Sequence, residues 1–222
     1  AMRQQAVTRL MPETIALIDQ IEASNRNTPT TGLLDQVLDA IAREDAQERS
    51  GTTYMDSWLA RLIQDDPEHQ GALWLRLRAL ERDMLSLSPR DLLTAIERLV
   101  RVTRTRDSLT RLYNVIKHCQ RDSRYRTLQL PLTVQAAEIA SRQGEWSKEA
   151  TLWHNVLDAT ESARQGTPEF ALLRRALTRL LALYQQDGHL PDKRRAAEIG
   201  LRLARLPGGS PQEAINAYSA AV

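Results

Sequence analysis

The sequence has only one cysteine and one phenylalanine, and it contains no long apolar run. Cys119 cannot form a disulfide within the chain, which is compatible with a reducing compartment. No stretch approaches the roughly 18 apolar residues of a membrane span, and residues 1–24 lack the continuous apolar core of a signal peptide. We therefore expect a cytoplasmic protein, or a piece of a longer chain, since Ala1 precedes Met2.

Motifs that carry chemistry are also missing from the sequence. It contains neither a His-Glu-x-x-His pattern nor a pair of CxxC motifs, so it predicts no zinc site. The glycines of PGGSPQE (207–213) follow no predicted strand and precede no lysine, unlike those of a phosphate-binding loop. His118 and Cys119 are adjacent, which turns their side chains about 100° apart on a helix. We predict no catalytic site, no metal and no cofactor, and we expect Cys119 to be buried.

Apolar residues recur at spacings of three and four along most of the chain, which indicates amphipathic helices. Ser88, Thr167 and Ser210 each precede a proline, as a capping residue does at a helix start, and Asp66 is predicted to act in the same way. No run alternates between apolar and polar residues, so no sheet is predicted. The predicted helices lie at about 12–24, 31–49, 54–65, 67–87, 89–104, 107–122, 132–143, 147–164, 169–187, 191–206 and 211–220.

The segment TVQAAEIASRQGEWSKEATLWHNVLDA (133–159) resembles a tetratricopeptide repeat. Ala137 and Ala140 stand where that family packs its helices closely, and Gly144 stands at the turn. Trp153 stands where the second helix of the repeat buries an aromatic side chain. A second segment, 177–207, is similar to the repeat less closely.

This resemblance implies an all-α protein, an irregular helical-hairpin solenoid of about eleven helices. We expect an N-terminal helical array at 1–120, a joint at 121–131 and tetratricopeptide-like hairpins at 132–222, with one continuous domain as the alternative. The segments 24–32 and 121–131 fit the helical period least and read as long turns or linkers.

Trp146 and Trp153 are seven residues apart, which places them on one face of a helix. We expect them to hold one hairpin against the next, and we favour this core interpretation over an aromatic recognition surface. Trp58 and Trp74 stand among leucines at helical spacing and are interpreted in the same way.

Cations are concentrated between Arg98 and Arg126, where nine arginines and lysines stand against two aspartates. Arg98, Arg101 and Arg104 recur every three residues and are predicted to form a stripe on one helix. Three interpretations stay open for this basic segment. It could contact nucleic-acid phosphates, it could receive an acidic partner, or it could be a solvated face with ion pairs inside the molecule.

The function predicted from these patterns is a protein-interaction scaffold or adaptor built on helical repeats, not an enzyme. Its partner would be another protein, with an acidic surface or peptide. The alternative is a nucleic-acid-associated helical protein, or the sensor domain of a regulator, that uses the basic segment. The resemblance also implies a concave groove lined by the first helix of each hairpin. The predicted partner-binding residues are Arg98, Arg101 and Arg104 in the basic segment and Gln135, Glu138, Arg142, Arg174, Arg175 and Arg179 in the groove.

Overall fold

Ten α-helices and a 3-10 turn make up the computed structural model, which describes residues 10–47, 49–185 and 187–207. The helices are α1 Pro12–Ala23, α2 Thr31–Ala46, α3 Gly51–Asp65, α4 Gln70–Glu81, α5 Pro89–Val102, α6 Arg106–Arg121, α7 Gln129–Gln143, α8 Trp146–Thr160, α9 Pro168–Tyr184 and α10 Lys193–Ala204. These residues contain no strand, so the all-α prediction is confirmed. The helix predicted at 211–220 lies outside the described residues. Within the described ranges, no helix is both long enough and apolar enough to cross a membrane.

Two helices begin with the local capping chemistry that their sequences indicate. The Ser88 hydroxyl accepts a hydrogen bond from the Asp91 backbone N–H at 3.1 Å, and the Thr167 hydroxyl accepts one from Phe170 N–H at 3.2 Å. In both cases a proline occupies the first helical turn, where no backbone donor is needed. Both predicted starts are confirmed.

Helix α4 begins three residues later than its sequence predicts. Asp66 and Pro67 lie before the helix, which starts at Gln70 with His69 as its capping residue. The His69 Nδ1 atom accepts a hydrogen bond from the Ala72 backbone N–H at 3.1 Å. The prediction of Asp66 as a cap is therefore wrong, because a histidine takes the place of the usual oxygen acceptor.

The chain divides into two compact units, residues 1–125 and 126–222. In the first, which we call unit 1, α4 packs against each of the five other described helices, α1, α2, α3, α5 and α6. Nine of the twelve residues of α4 are buried. A helix that is enclosed on every side in this way forms the centre of its unit rather than one layer of it.

The central position of α4 depends on a close approach by the end of α1. A Cβ atom on Gly71 would lie 2.5 Å from the carbonyl oxygen of Ile21. The Gly71 N–H donates to the carbonyl of Ser24 at 3.0 Å, so the two backbones are in direct contact. Only glycine allows this distance.

The segment 24–32, predicted as a loose turn, is held against the start of α4. The Gln70 side-chain amide donates to the carbonyl of Arg26 at 2.8 Å. Its carbonyl oxygen accepts a hydrogen bond from the Thr28 hydroxyl at 2.9 Å. Gln70 is mostly buried, so these bonds satisfy a polar side chain that has little access to water.

The segment 121–131, predicted as a joint, is helical over most of its length. It contains the last residue of α6, the 3-10 turn Ser123–Leu128 and the first residues of α7. Tyr125 is buried, and its hydroxyl donates to the carbonyl of Leu87 at 3.2 Å. The division between the two units falls directly after Tyr125.

The four helices that the structure describes in the second unit, unit 2, pack in chain order. Helix α7 packs on α8, α8 on α9, and α9 on α10. Gly144 ends α7 with a φ of 73°, a left-handed conformation that favours glycine. At the turn before α10, a Cβ on Gly188 would lie 2.4 Å from the carbonyl oxygen of Leu183, so this turn also needs glycine.

Replacing Gly71 with alanine should lower the free energy of unfolding by about 1–3 kcal/mol, because the new methyl group must displace the α1 backbone. Gly32→Ala is the matched control, since nothing lies within 4 Å of a Cβ at that position. Gly32 lies in α2, where alanine is favoured over glycine by about 0.5–1 kcal/mol. Urea unfolding of both variants measures the difference, and equal effects would contradict the close contact at Gly71.

Candidate functional site

A groove of about 530 Å³ opens on the surface of unit 2. Helices α7, α8 and α9 supply its lining, which combines small or apolar side chains with a border of charged ones. The lining residues are Glu138, Trp153, Ala171, Arg174, Arg175, Thr178, Arg179 and Ala182. Three guanidinium groups and one carboxylate therefore face the same depression.

One face of α9 forms most of the groove, because its lining residues recur at spacings of three and four. Ala171, Thr178 and Ala182 are small and leave room above the helix, while the arginines between them extend along it. The other face of α9 is buried through its leucines, as at Leu177 and Leu180. The amphipathic pattern of one helix thus fixes both the core contact and the groove.

Glu149 on α8 is completely buried and contacts two of the lining side chains. Its carboxylate accepts a hydrogen bond from the Trp153 indole N–H at 3.2 Å. It also forms an ion pair with Arg179, whose Nη2 lies 3.3 Å from the Glu149 Oε2 atom. This hydrogen bonding to Glu149 raises the pKa of Arg179 above its usual value. Arg179 also donates to the Ser141 hydroxyl at 2.7 Å, which links α7 to the same cluster.

Arg175 is held less tightly than Arg179. Its Nη2 atom pairs with the Glu138 carboxylate, and both side chains are partly exposed, at 51% for Arg175 and 34% for Glu138. The guanidinium carbon lies 5.5 Å from the centroid of the Trp153 ring, within the range of a cation–π contact. Arg175 therefore covers the indole while its charged end stays near water.

The two tryptophans of unit 2 differ in exposure. Trp153 is 2% exposed, so only a small part of it reaches the groove. Trp146 is partly exposed and stacks on His189, with ring centroids 3.7 Å apart and planes 2° from parallel. The core interpretation is confirmed for Trp153, and also for Trp58 and Trp74 in unit 1, which are buried.

The residues that the sequence predicts for a groove are only partly brought together. Glu138, Arg174, Arg175 and Arg179 line the groove, whereas Gln135 and Arg142 lie on α7 outside the lining. Sequence reasoning missed Ala171, Thr178 and Ala182 as lining residues, and for Trp153 it favoured the core over a recognition surface. Ala171, Thr178 and Ala182 recur at helical spacing with the arginines of α9, and this pattern in the sequence could have predicted them.

The basic segment does not form the predicted stripe. Helix α5 ends at Val102, and the buried Thr103 has extended backbone angles of φ −64° and ψ 132°. Arg104 therefore lies beyond the helix that carries Arg98 and Arg101, which corrects the prediction of one continuous row. Arg98 is half-buried, and Arg101 is exposed and pairs with Glu68 at 3.3 Å.

Two further cations of the segment contact groups of unit 1 itself. The guanidinium carbon of Arg111 lies 3.7 Å from the centroid of the Trp74 ring, and its Nη1 donates to the carbonyl of Pro29 at 3.1 Å. Burial lowers the pKa of Arg111 to about 10. Arg124 pairs with Asp83 at 3.2 Å and with Asp122 at 2.6 Å. The ion pairs of Arg101 and Arg124 are of the kind that a solvated face with internal ion pairs contains, whereas Arg111 is partly buried against an aromatic ring and a backbone carbonyl.

Cys119 is fully buried on α6, as predicted. Burial raises the pKa of its thiol to about 12, so the thiolate that a nucleophile requires is not formed near neutral pH. In the part of the chain that the structure describes, no three histidine, cysteine, aspartate or glutamate side chains are grouped so as to hold a metal ion.

Comparisons of the chain with protein-family models, with curated proteins and with solved structures found no match. The groove and its chemistry are therefore the basis on which a function is inferred.

Replacing Arg179 with leucine should lower the free energy of unfolding by about 3 kcal/mol, because the buried Glu149 carboxylate loses its counter-charge. The matched control is Arg175→Leu, whose partner Glu138 is partly exposed, and its expected cost is about 0–1 kcal/mol. Chemical unfolding of the two variants compares them directly. A loss below about 1 kcal/mol in Arg179→Leu would contradict a structural role for the buried pair.

Proposed function

We propose that this protein is a protein-interaction module rather than an enzyme, and that the groove of unit 2 binds an acidic segment of a partner protein. The groove lining carries the proposal, because it joins three arginines to a depression lined by small and apolar side chains. Arginine and aromatic residues are enriched at the centres of protein interfaces.

The packing of unit 2 supports a module of two tetratricopeptide-like hairpins, α7–α8 and α9–α10. Each helix packs on the next in chain order, as stacked hairpins require. The groove is lined mainly by α9, with Glu138 from α7, while α8 adds only the mostly buried Trp153, so α7 and α9 supply most of the lining. These are the first helices of the two hairpins, where the resemblance implies the binding surface to be. The repeat proposal extends to unit 2 alone, since unit 1 is organised around the central helix α4.

Charge complementarity is the reason for an acidic partner. The groove face of α9, from Ala171 to Ala182, contains three arginines and no acidic residue. A basic segment would be repelled by these cations, and a neutral one would cover them without adding a negative charge to the carboxylates of Glu138 and Glu149 that already pair with two of them. A carboxylate instead forms charge-assisted hydrogen bonds with guanidinium groups.

Binding without catalysis is proposed because the hydroxyl and the carboxylate of the lining are already held in a hydrogen bond and an ion pair. The only hydroxyl there, that of Thr178, donates to the carbonyl of Arg174 at 2.9 Å. The only carboxylate in the lining, that of Glu138, pairs with Arg175. A nucleophile next to a general base, the arrangement that covalent catalysis needs, does not occur among these lining residues.

Nucleic acid is the less favoured partner. A phosphate-binding surface places its cations side by side. Here Arg104 lies off the helix of Arg98 and Arg101, and Arg111 and Arg124 contact groups of unit 1.

Selection of a random 12-residue peptide library on the full chain tests the proposal. We expect the selected peptides to be enriched in aspartate and glutamate, and we expect the double variant Arg174→Glu, Arg175→Glu to lose that enrichment. The matched control is the double variant Arg164→Glu, Arg194→Glu, which reverses two exposed cations of unit 2 outside the groove lining.

Two outcomes would contradict the proposed function. One is the failure to select any peptide above background. The other is a set of selected peptides whose composition is unchanged by the reversal of Arg174 and Arg175, since these would bind elsewhere. Circular dichroism checks that the variants are folded, and Arg175→Gln replaces the double variant of the groove if the latter does not fold.

A further inference from the structure

We infer that Glu138 is a built-in competitor for the partner's carboxylates at Arg175, so that the protein partly blocks the groove with one of its own side chains. The inference rests on the proposed function, because it concerns how the same groove selects an acidic segment. Glu138 thus repels the carboxylates that the arginines beside it attract.

The position of Glu138 is unlike that of the other carboxylate in this cluster. Glu149 is buried and is held by Arg179 and the Trp153 indole, so its charge is part of the interior. Glu138 is partly exposed, lines the groove and forms its ion pair with Arg175, and its charge also acts on the neighbouring Arg179. It therefore occupies the place that a partner's carboxylate would take.

Arg175 has donors that a partner's carboxylate can reach while Glu138 is still bound, so the exchange can begin before Glu138 leaves. A guanidinium group has five N–H donors, and Glu138 engages only the Nη2 atom of Arg175. Its Nε and Nη1 atoms make no hydrogen bond to any residue that the structure describes. The contact with the Trp153 ring keeps the guanidinium plane near the groove whether or not Glu138 is bound.

Exchange of one carboxylate for another at Arg175 has a small cost in stability. Ion pairs between partly exposed side chains contribute little to folding, because water solvates both ions when they separate. Glu138 nevertheless repels a second carboxylate at short range. It therefore weakens the binding of weakly acidic segments and leaves the groove to segments with enough negative charge to replace it.

The variant Glu138→Gln separates this role from a structural one. It removes the charge and keeps the shape, so an acidic peptide selected on the unmodified chain should bind more tightly. We expect its Kd to fall by about two- to fivefold, the factor that corresponds to an exposed ion pair. An analogue of the same peptide with every glutamate and aspartate changed to the amide should show no such gain.

Glu145→Gln is the matched control. The Glu145 side chain is also 34% exposed and is also ion-paired, with Lys148 at 2.8 Å, but it does not line the groove. Its removal changes the net charge of the chain by the same amount. A general electrostatic effect would therefore tighten binding equally in both variants.

Fluorescence anisotropy of the labelled peptide on the full chain measures these differences. The competitor role is supported if the peptide binds Glu138→Gln more tightly than Glu145→Gln. This gain in affinity should disappear when Glu138→Gln is combined with Arg175→Gln. Equal or weaker binding to Glu138→Gln overturns the competitor role and leaves the proposed function in place. The absence of any selected peptide would instead overturn the proposed function, and with it this inference.

Discussion

The buried carboxylate of Glu149 is the constraint on which the proposed binding site depends. A charge without access to water is tolerated only when it is paired and hydrogen-bonded. Here the partners are the Trp153 indole on the same helix and the Arg179 guanidinium on α9. Because Arg179 also donates to Ser141 on α7, one buried charge connects the three helices that line the groove.

The same arrangement gives the groove two kinds of cation. Arg179 is fixed by a buried partner, and it holds one side of the depression in place. Arg175 is paired with the partly exposed Glu138, and in the proposed site it exchanges that carboxylate for another. A site that combines a fixed charge with an exchangeable one loses less conformational freedom on binding than a fully mobile site, and it still discriminates by charge.

The features that sequence reasoning predicted correctly are local ones. The caps at Ser88 and Thr167 require only the residues within one turn, and both are present in the structure. The late start of α4 could not be predicted, because it is tied to a backbone contact between Gly71 and the end of α1, far away in sequence. The prediction of one row of arginines on α5 was wrong for a similar reason, since Thr103 is buried and ends that helix before Arg104. The groove arginines were predicted from a family resemblance, whereas their buried partner Glu149 has no signal in the sequence.

The four tryptophans offer the most direct test that the groove is the binding site, since each has one indole N–H signal in a ¹H–¹⁵N NMR spectrum. Trp153 contacts Arg175 and Glu149 at the groove, whereas Trp58 and Trp74 are buried in unit 1. If the groove binds an acidic segment, titration with a selected peptide should shift the Trp153 signal and leave those of Trp58 and Trp74 in place. A shift at Trp58 or Trp74, with Trp153 unchanged, would contradict binding at this groove.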